Sequence, residues 1–152
     1  MVYGAGPAKI AKTGGISLKE AKALHRTYWE RNWSVKAIAA AQYYKEVDGE
    51  LWLYNPVSGF YYSLRYEKDI FSTLNQSTGV FCFDTWISRV LKRREQITAQ
   101  FHDEGVWVIP KGREEDMEAI LREAIEETNE ILGLNRELGI DVKFGKTYAD
   151  VH

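Results

Sequence analysis

Short alternations of apolar and polar residues predict β-strands in three parts of the chain. Residues 51–54 and 60–64 are rich in aromatic and aliphatic side chains, and the turn residues between them predict a hairpin. Residues 97–101 and 106–109 predict a second hairpin, and residues 140–144 predict a last strand.

Helical spacing of apolar residues predicts the rest of the framework. Ser17 and Glu20 form a capping-box pattern, so we expect a helix to begin at Ser17. The next helix is expected from Ser34 to about Val47. Basic residues on the first helix indicate either a solvated surface, the usual case, or a surface that faces phosphates.

Two longer helices follow. Residues 68–94 form the longest helical stretch, and Gly79 near its middle suggests close packing against the second hairpin, since glycine inside a helix costs about 1 kcal/mol relative to alanine. Residues 114–133 predict an amphipathic helix with an acidic outer side, which suits solvent better than DNA. Together these elements predict an α+β fold.

Composition narrows the class of protein. The 152 residues are 45% hydrophobic and 13% aromatic, enough for one domain with a core and too apolar for disorder. The net charge of −2 carries no global signal for nucleic acid, so any such binding needs a local patch. Cys82 is the one cysteine, which predicts a buried reduced thiol and a cytoplasmic location. No apolar run approaches about 18 residues, so no membrane partner is expected.

Candidate chemistry lies at the tip of the second hairpin, where His102, Asp103 and Glu104 follow one another. Polar residues at a hairpin tip often serve turn geometry alone. A carboxylate fixed between apolar strands is also a partly desolvated oxygen ligand of the kind that Mg²⁺ prefers. Both interpretations stay open from these residues alone.

Phe-His-Asp-Glu-Gly between two apolar strands resembles motif C of the family A DNA polymerases, the DNA polymerase I family. Further segments resemble the phage branch of that family in the same order along the chain. They are Tyr-Gly-Ala-Gly at residues 3–6 (the end of motif B), Lys-Glu-Ala at 19–21, Tyr-Trp-Glu-Arg at 28–31, Gln-Ser-Thr-Gly at 76–79 and the terminal residues 145–152.

This resemblance implies a fold and an organisation. Residues 1–50 would hold the end of motif B and the helices at the base of the fingers, and residues 51–152 would form the polymerase palm with its antiparallel sheet. Motif A and most of motif B are absent from the sequence, so the chain is expected to be a C-terminal part with a natural C-terminus, separated from the rest by a gene split or as a cloned fragment. A phage-infected bacterial cell would be its setting.

The resemblance also implies roles for individual residues. Asp103 would bind Mg²⁺ and Glu104 would support it, as the catalytic carboxylates. Two Mg²⁺ ions would act, and their second aspartate would come from an N-terminal polymerase chain or fragment. Tyr3 would contact the incoming dNTP and the template. The remaining contacts to the primer–template are assigned to His102, Gln76, Ser72, Lys68 and Arg65.

Several positions depart from the family pattern. The family usually has Asn where Ser72 stands and Arg or His where Lys68 stands, and a lysine lacks the planar fork of arginine. Without its partner the chain is expected not to polymerise, and to self-associate through uncovered apolar surface and strand edges. The alternative is a non-catalytic DNA-binding or interaction module with a polymerase-like fold.

Overall fold

The computed structural model describes residues 4–152, and Tyr3 lies outside the described residues. They form a mixed α+β structure with small antiparallel sheets, which confirms the predicted class. The chain divides into two compact units, Met1–Thr78 and Gly79–His152, with the boundary inside one long helix. The predicted division at residue 50 was drawn on family segments and stays a prediction. No helix among the described residues is long and apolar enough to cross a membrane.

The first unit begins with three helices: α1 (Pro7–Gly14), α2 (Leu18–Arg31) and α3 (Trp33–Ala40). The capping box is present as predicted. The Ser17 hydroxyl accepts a hydrogen bond from the Glu20 amide at 3.2 Å, and the Glu20 carboxylate accepts one from the Ser17 amide at 2.9 Å. The Ser17 hydroxyl also donates to the Glu20 carboxylate at 2.7 Å, and this bond, followed by the one from the Ser17 amide, lowers the pKa of Glu20.

A three-stranded antiparallel sheet follows, in the order β1 (Tyr44–Val47), β2 (Glu50–Asn55) and β3 (Phe60–Leu64). The predicted hairpin of β2 and β3 is confirmed. The second predicted helix is present as α3, but its predicted end near Val47 was wrong, because α3 ends at Ala40 and Tyr44–Val47 pair with β2.

The core of the first unit lies under one side of this sheet. Leu53, Leu64 and Ile70 are buried together there. Asn55 is fully buried beside them, and its amide nitrogen donates to the hydroxyls of Ser77 (2.8 Å) and Thr78 (2.9 Å). A buried polar group is stable only when it is hydrogen-bonded, so this network fixes the end of β2 to the following helix.

That helix, α4 (Ile70–Lys92), is preceded by a 3₁₀ turn at Glu67–Asp69 and confirms the longest predicted helical stretch. The reason given for Gly79 was wrong. A β-carbon added there would meet no atom within 4 Å among the described residues, so no close packing requires the glycine.

The second unit contains the rest of α4 and helix α5 (Glu114–Leu132), which matches its prediction. Their facing sides share a core of apolar residues, listed here: Phe83, Trp86, Ile87, Val90, Met117, Leu121 and Ala124. Glu127 on α5 accepts hydrogen bonds from Arg93 (3.0 Å) and Arg89 (3.3 Å) on α4. These bonds lower the pKa of Glu127, with Arg93 as the larger cause.

The last strand, predicted at residues 140–144, is wrong. Those residues are irregular, and neither described sheet includes them. Ile140 and Val142 instead pack against the core of the second unit. The alternation of apolar and polar residues in this segment therefore arises because Ile140 and Val142 face the core. It does not arise from pairing with a neighbouring strand.

Candidate functional site

The second hairpin is shorter than predicted and places the candidate carboxylates at its tip. Strands β4 (Ala99–Phe101) and β5 (Glu104–Val106) pair in an antiparallel register with Phe101 opposite Glu104. The strands predicted from residue 97 and to residue 109 are thus three residues each. His102 and Asp103 are the whole of the loop between them.

The geometry of this loop depends on its first residue. His102 has a φ of 51°, in the left-handed region that histidine enters more readily than most residues other than glycine. A two-residue hairpin loop often needs such a conformation, since it matches the twist of the strands. Asp103 therefore lies in a tight turn, and the two short strands pair with each other immediately before and after this turn.

Asp103 is exposed, contrary to the expected partly desolvated carboxylate. Within residues 4–152, neither Asp103 nor His102 makes a hydrogen bond or an ion pair. The physical reason is that a two-residue tip extends beyond its own strands, and no other described element accepts a bond from it. An exposed carboxylate without a cationic partner is free to ligate a hard cation.

Glu104 is held differently. One of its carboxylate oxygens lies 3.3 Å from Nδ1 of His152. The His152 ring stacks on Tyr148 with centroids 4.7 Å apart, and Tyr148 contacts Phe101 at 5.8 Å. Glu104 and its strand partner Phe101 therefore both meet the terminal segment, which fixes the hairpin just behind its tip.

The terminal segment has its own local order. Asp150 accepts hydrogen bonds from the Thr147 amide (2.8 Å) and hydroxyl (2.9 Å), which caps a 3₁₀ turn at Tyr148–Asp150. A β-carbon at Gly145 would lie 2.5 Å from that of Asp150, so the fold requires glycine there.

The electrostatics of the segment follow these contacts. The hydrogen bonds from Thr147 lower the pKa of Asp150, with the side-chain bond as the largest cause. Partial burial raises the pKa of Tyr148, and the negative charge of Glu104 and a hydrogen bond to it act in the same direction. Tyr148 is therefore a neutral phenol beside the Glu104 carboxylate at neutral pH.

The predicted DNA contacts of the first unit lie between the end of β3 and the second turn of α4. Arg65 and Gln76 are exposed and have no hydrogen bond or ion pair within the described residues. Ser72 is turned toward its own helix, since its hydroxyl donates to the Asp69 carbonyl at 2.9 Å. Lys68 lies 3.1 Å from the Asp69 carboxylate and over the ring of Tyr66. Arg65 and Gln76 are therefore the groups available for a ligand without breaking an existing bond.

Two adjoining cavities of about 330 and 240 Å³ lie in the first unit, and the smaller one includes Lys68. Both are lined by His25, Trp29 and Lys36. The Trp29 indole donates to the His25 ring at 3.0 Å, and the Lys36 ammonium lies 5.2 Å from the Trp29 ring centre. The sequence places Trp29 among the apolar residues at helical spacing and in a family segment, but this contact was not predicted. Its i, i+4 spacing from His25 is the signal that predicts their contact.

These positions show which of the candidate residues lie close to one another. The structure brings together Glu104 and the terminal histidine, and it places His102 and Asp103 beside them on the hairpin. Within the described residues there is no group of three or more His, Cys, Asp or Glu side chains arranged to hold a metal ion. Asp103 therefore offers a single carboxylate ligand.

No protein-family model matches the chain, and no curated protein matches it.

Proposed function

We propose that this chain is the C-terminal part of a family A DNA-directed DNA polymerase, contributing half of the catalytic site. The observation that carries the proposal is the exposed, unpartnered Asp103 at a two-residue hairpin tip, between His102 and a Glu104 fixed by His152. Turn geometry alone accounts for an exposed Asp103, but it does not require the contact of Glu104 with His152, 48 positions along the chain.

In this proposal Asp103 supplies one ligand to Mg²⁺, and the remaining ligands come from the N-terminal polymerase chain. Its carboxylate suits the hard cation, which when bound lowers the pKa of an attacking hydroxyl and neutralises charge on the phosphates. Glu104 keeps the hairpin in place through His152, and His102 donates a hydrogen bond to the primer end. The substrates are primer–template DNA and dNTPs, and the family resemblance assigns Tyr3 to the nascent pair.

The test is reconstitution of activity from two chains. The partner is a family A polymerase fragment that ends within motif B and carries motif A. We expect Mg²⁺-dependent primer extension from the mixture and none from either chain alone, together with a stable complex in analytical ultracentrifugation. A complete domain core divided between two chains predicts an apolar interface of more than about 2,000 Å². If the chain stays monomeric, forms no complex with such partners and yields no primer extension, the non-catalytic module is favoured.

The DNA contacts on α4 have a separate test that needs no catalysis. If Gln76 reaches the minor groove, Gln76→Ala should weaken binding of a primer–template duplex by about 1–3 kcal/mol, as loss of a polar contact does. Lys68→Ala should reduce the slope of log affinity against log salt by roughly 0.9, the value for one phosphate. Asn75→Ala is the matched control, since Asn75 is exposed on the same helix. An unchanged salt slope would place Lys68 away from the DNA backbone.

A further inference from the structure

The outer side of the β1–β3 sheet carries an unusual set of side chains. Alternation along the strands directs Leu53, Leu64 and their neighbours toward the core and directs the residues between them outward. The outward residues fall in cross-strand rows set by the register: Tyr43, Tyr54 and Tyr61 in one row, and Lys45, Trp52 and Ser63 in the next. We call these six residues the aromatic face.

Such a side is usually polar, because an antiparallel sheet covered by helices on one side meets water on the other. Here it is aromatic. The rings of Tyr54 and Tyr61 lie 5.2 Å apart, and the Lys45 ammonium lies 4.1 Å from the Tyr61 ring centre. Tyr43 is 58% exposed and Tyr61 is 41% exposed. Cross-strand pairing explains the Tyr54–Tyr61 contact, but it gives no reason for leaving Tyr43 in water.

The chemistry of this face matches one class of ligand. Exposed aromatic rings in rows are stacking surfaces for unpaired bases, and an interleaved cation meets the phosphates between them. Lys45 is such a cation, and Arg65 directly follows β3 with no hydrogen bond or ion pair in the described part of the chain. Tyrosine and tryptophan also occur in protein interfaces, but lysine is depleted there, so Lys45 among the rings favours a ligand that carries phosphates.

We propose that the aromatic face binds single-stranded nucleic acid by base stacking on Tyr43, Trp52 and Tyr61, with Lys45 contacting the phosphate backbone. This site is additional to the proposed polymerase function and does not depend on it. It involves neither the hairpin tip nor Gln76 and Lys68, and Arg65 is the one residue named in both proposals. Its ligand is an unpaired strand of either sugar type.

The test is fluorescence anisotropy of a labelled oligothymidine of roughly ten nucleotides, within the range of site sizes typical of stacking proteins. This chain alone is titrated, without partner, primer or Mg²⁺. We expect saturable binding of this single strand, and we expect any binding of a duplex of the same length to be unchanged by substitutions in the aromatic face. Tyr43→Ala and Tyr61→Ala should each weaken binding about fivefold to hundredfold, and Lys45→Ala should reduce the salt slope by roughly 0.7. An oligouridine titrated in parallel distinguishes an RNA strand from a DNA strand.

Two further variants serve as controls. Tyr61→Phe keeps the ring and should bind like the unmodified chain. Trp33→Ala removes a more exposed aromatic residue, at 68%, from α3 in the same unit and should change nothing. Circular dichroism and thermal melting establish that each variant is folded, and Tyr43→Ala, at the most exposed ring of the face, is the variant least able to disturb the core.

Three results would overturn the proposal. The first is no saturable binding of the single strand by the unmodified chain, and the second is a loss of duplex binding in Tyr43→Ala and Tyr61→Ala equal to their loss of single-strand binding. The third is an effect of the folded Tyr43→Ala and Tyr61→Ala variants on sedimentation but not on oligonucleotide affinity, which would identify the face as a protein interface. Loss of primer extension in the reconstituted polymerase would not bear on any of these readouts.

Discussion

The two antiparallel β elements of this protein differ in what holds them in place. In the β1–β3 sheet, Leu53, Asn55 and Leu64 are buried, and they pack against helices of the same unit. In the β4–β5 hairpin no strand residue is buried, and each strand has three residues. The sheet is therefore maintained by its core, whereas the hairpin depends on its tight loop and on contacts with the terminal segment.

The residues that stabilise the first unit and the candidate catalytic residues therefore lie in different β elements. The sheet positions few groups for a reaction, but its loss would expose a core. The hairpin contributes little buried area, and yet it carries His102, Asp103 and Glu104. Exposed residues that the core does not need are free to serve a function, so substitutions in the two elements should have opposite consequences for stability and activity.

The largest expected difference is in stability. Leu53→Ala removes a fully buried side chain and should lower the free energy of unfolding by about 2–5 kcal/mol. Val106→Ala, at a half-buried position of β5, should cost about 1 kcal/mol or less. Urea unfolding followed by circular dichroism measures both. Equal costs would mean that the hairpin also belongs to a core.

The buried amide of the sheet gives a smaller effect. Asn55→Ala leaves the hydroxyls of Ser77 and Thr78 without their donor, and we expect a loss of about 1–3 kcal/mol. Asn75→Ala is the exposed control and should change stability by less than about 0.5 kcal/mol. If both variants melted alike, the network would not be what fixes the end of β2.

The smallest effect is a dependence on pH in the second unit. The pKa of Glu127 is lowered in the folded chain, so its bonds to Arg93 and Arg89 contribute stability above the ordinary value of 4.5, and that contribution is lost as pH falls through the lower folded pKa. Glu127→Gln should therefore unfold more easily than the unmodified chain at neutral pH, and the difference should disappear in acid. A difference that persists in acid would assign the effect to packing.

Local signals in the sequence predict much of this fold. The capping box at Ser17 and the turn between β2 and β3 act within a few residues, so both predictions are confirmed. Strand β1 was missed because Tyr43 and Val47 also fit the apolar spacing of a helix after Ile38. Only pairing with β2 decides between the two structures, and that pairing is a tertiary interaction.

The same limit applies to the candidate site. The position of His102 and Asp103 at a hairpin tip follows from local residues, because a polar pair between apolar strands predicts a turn. The contact of Glu104 with His152 joins residues far apart in the chain, and no spacing rule predicts it. The exposure of Asp103 likewise depends on what the rest of the chain leaves uncovered.

The most direct test of the account compares Asp103→Ala with Asp141→Ala, an exposed aspartate elsewhere in the same unit. Both variants are measured for primer extension at saturating Mg²⁺ with the N-terminal polymerase fragment, and for thermal melting alone. We predict that Asp103→Ala abolishes extension without changing the melting temperature, and that Asp141→Ala changes neither. Substantial extension by the folded Asp103→Ala variant would contradict the proposed metal-ligand role of the hairpin tip.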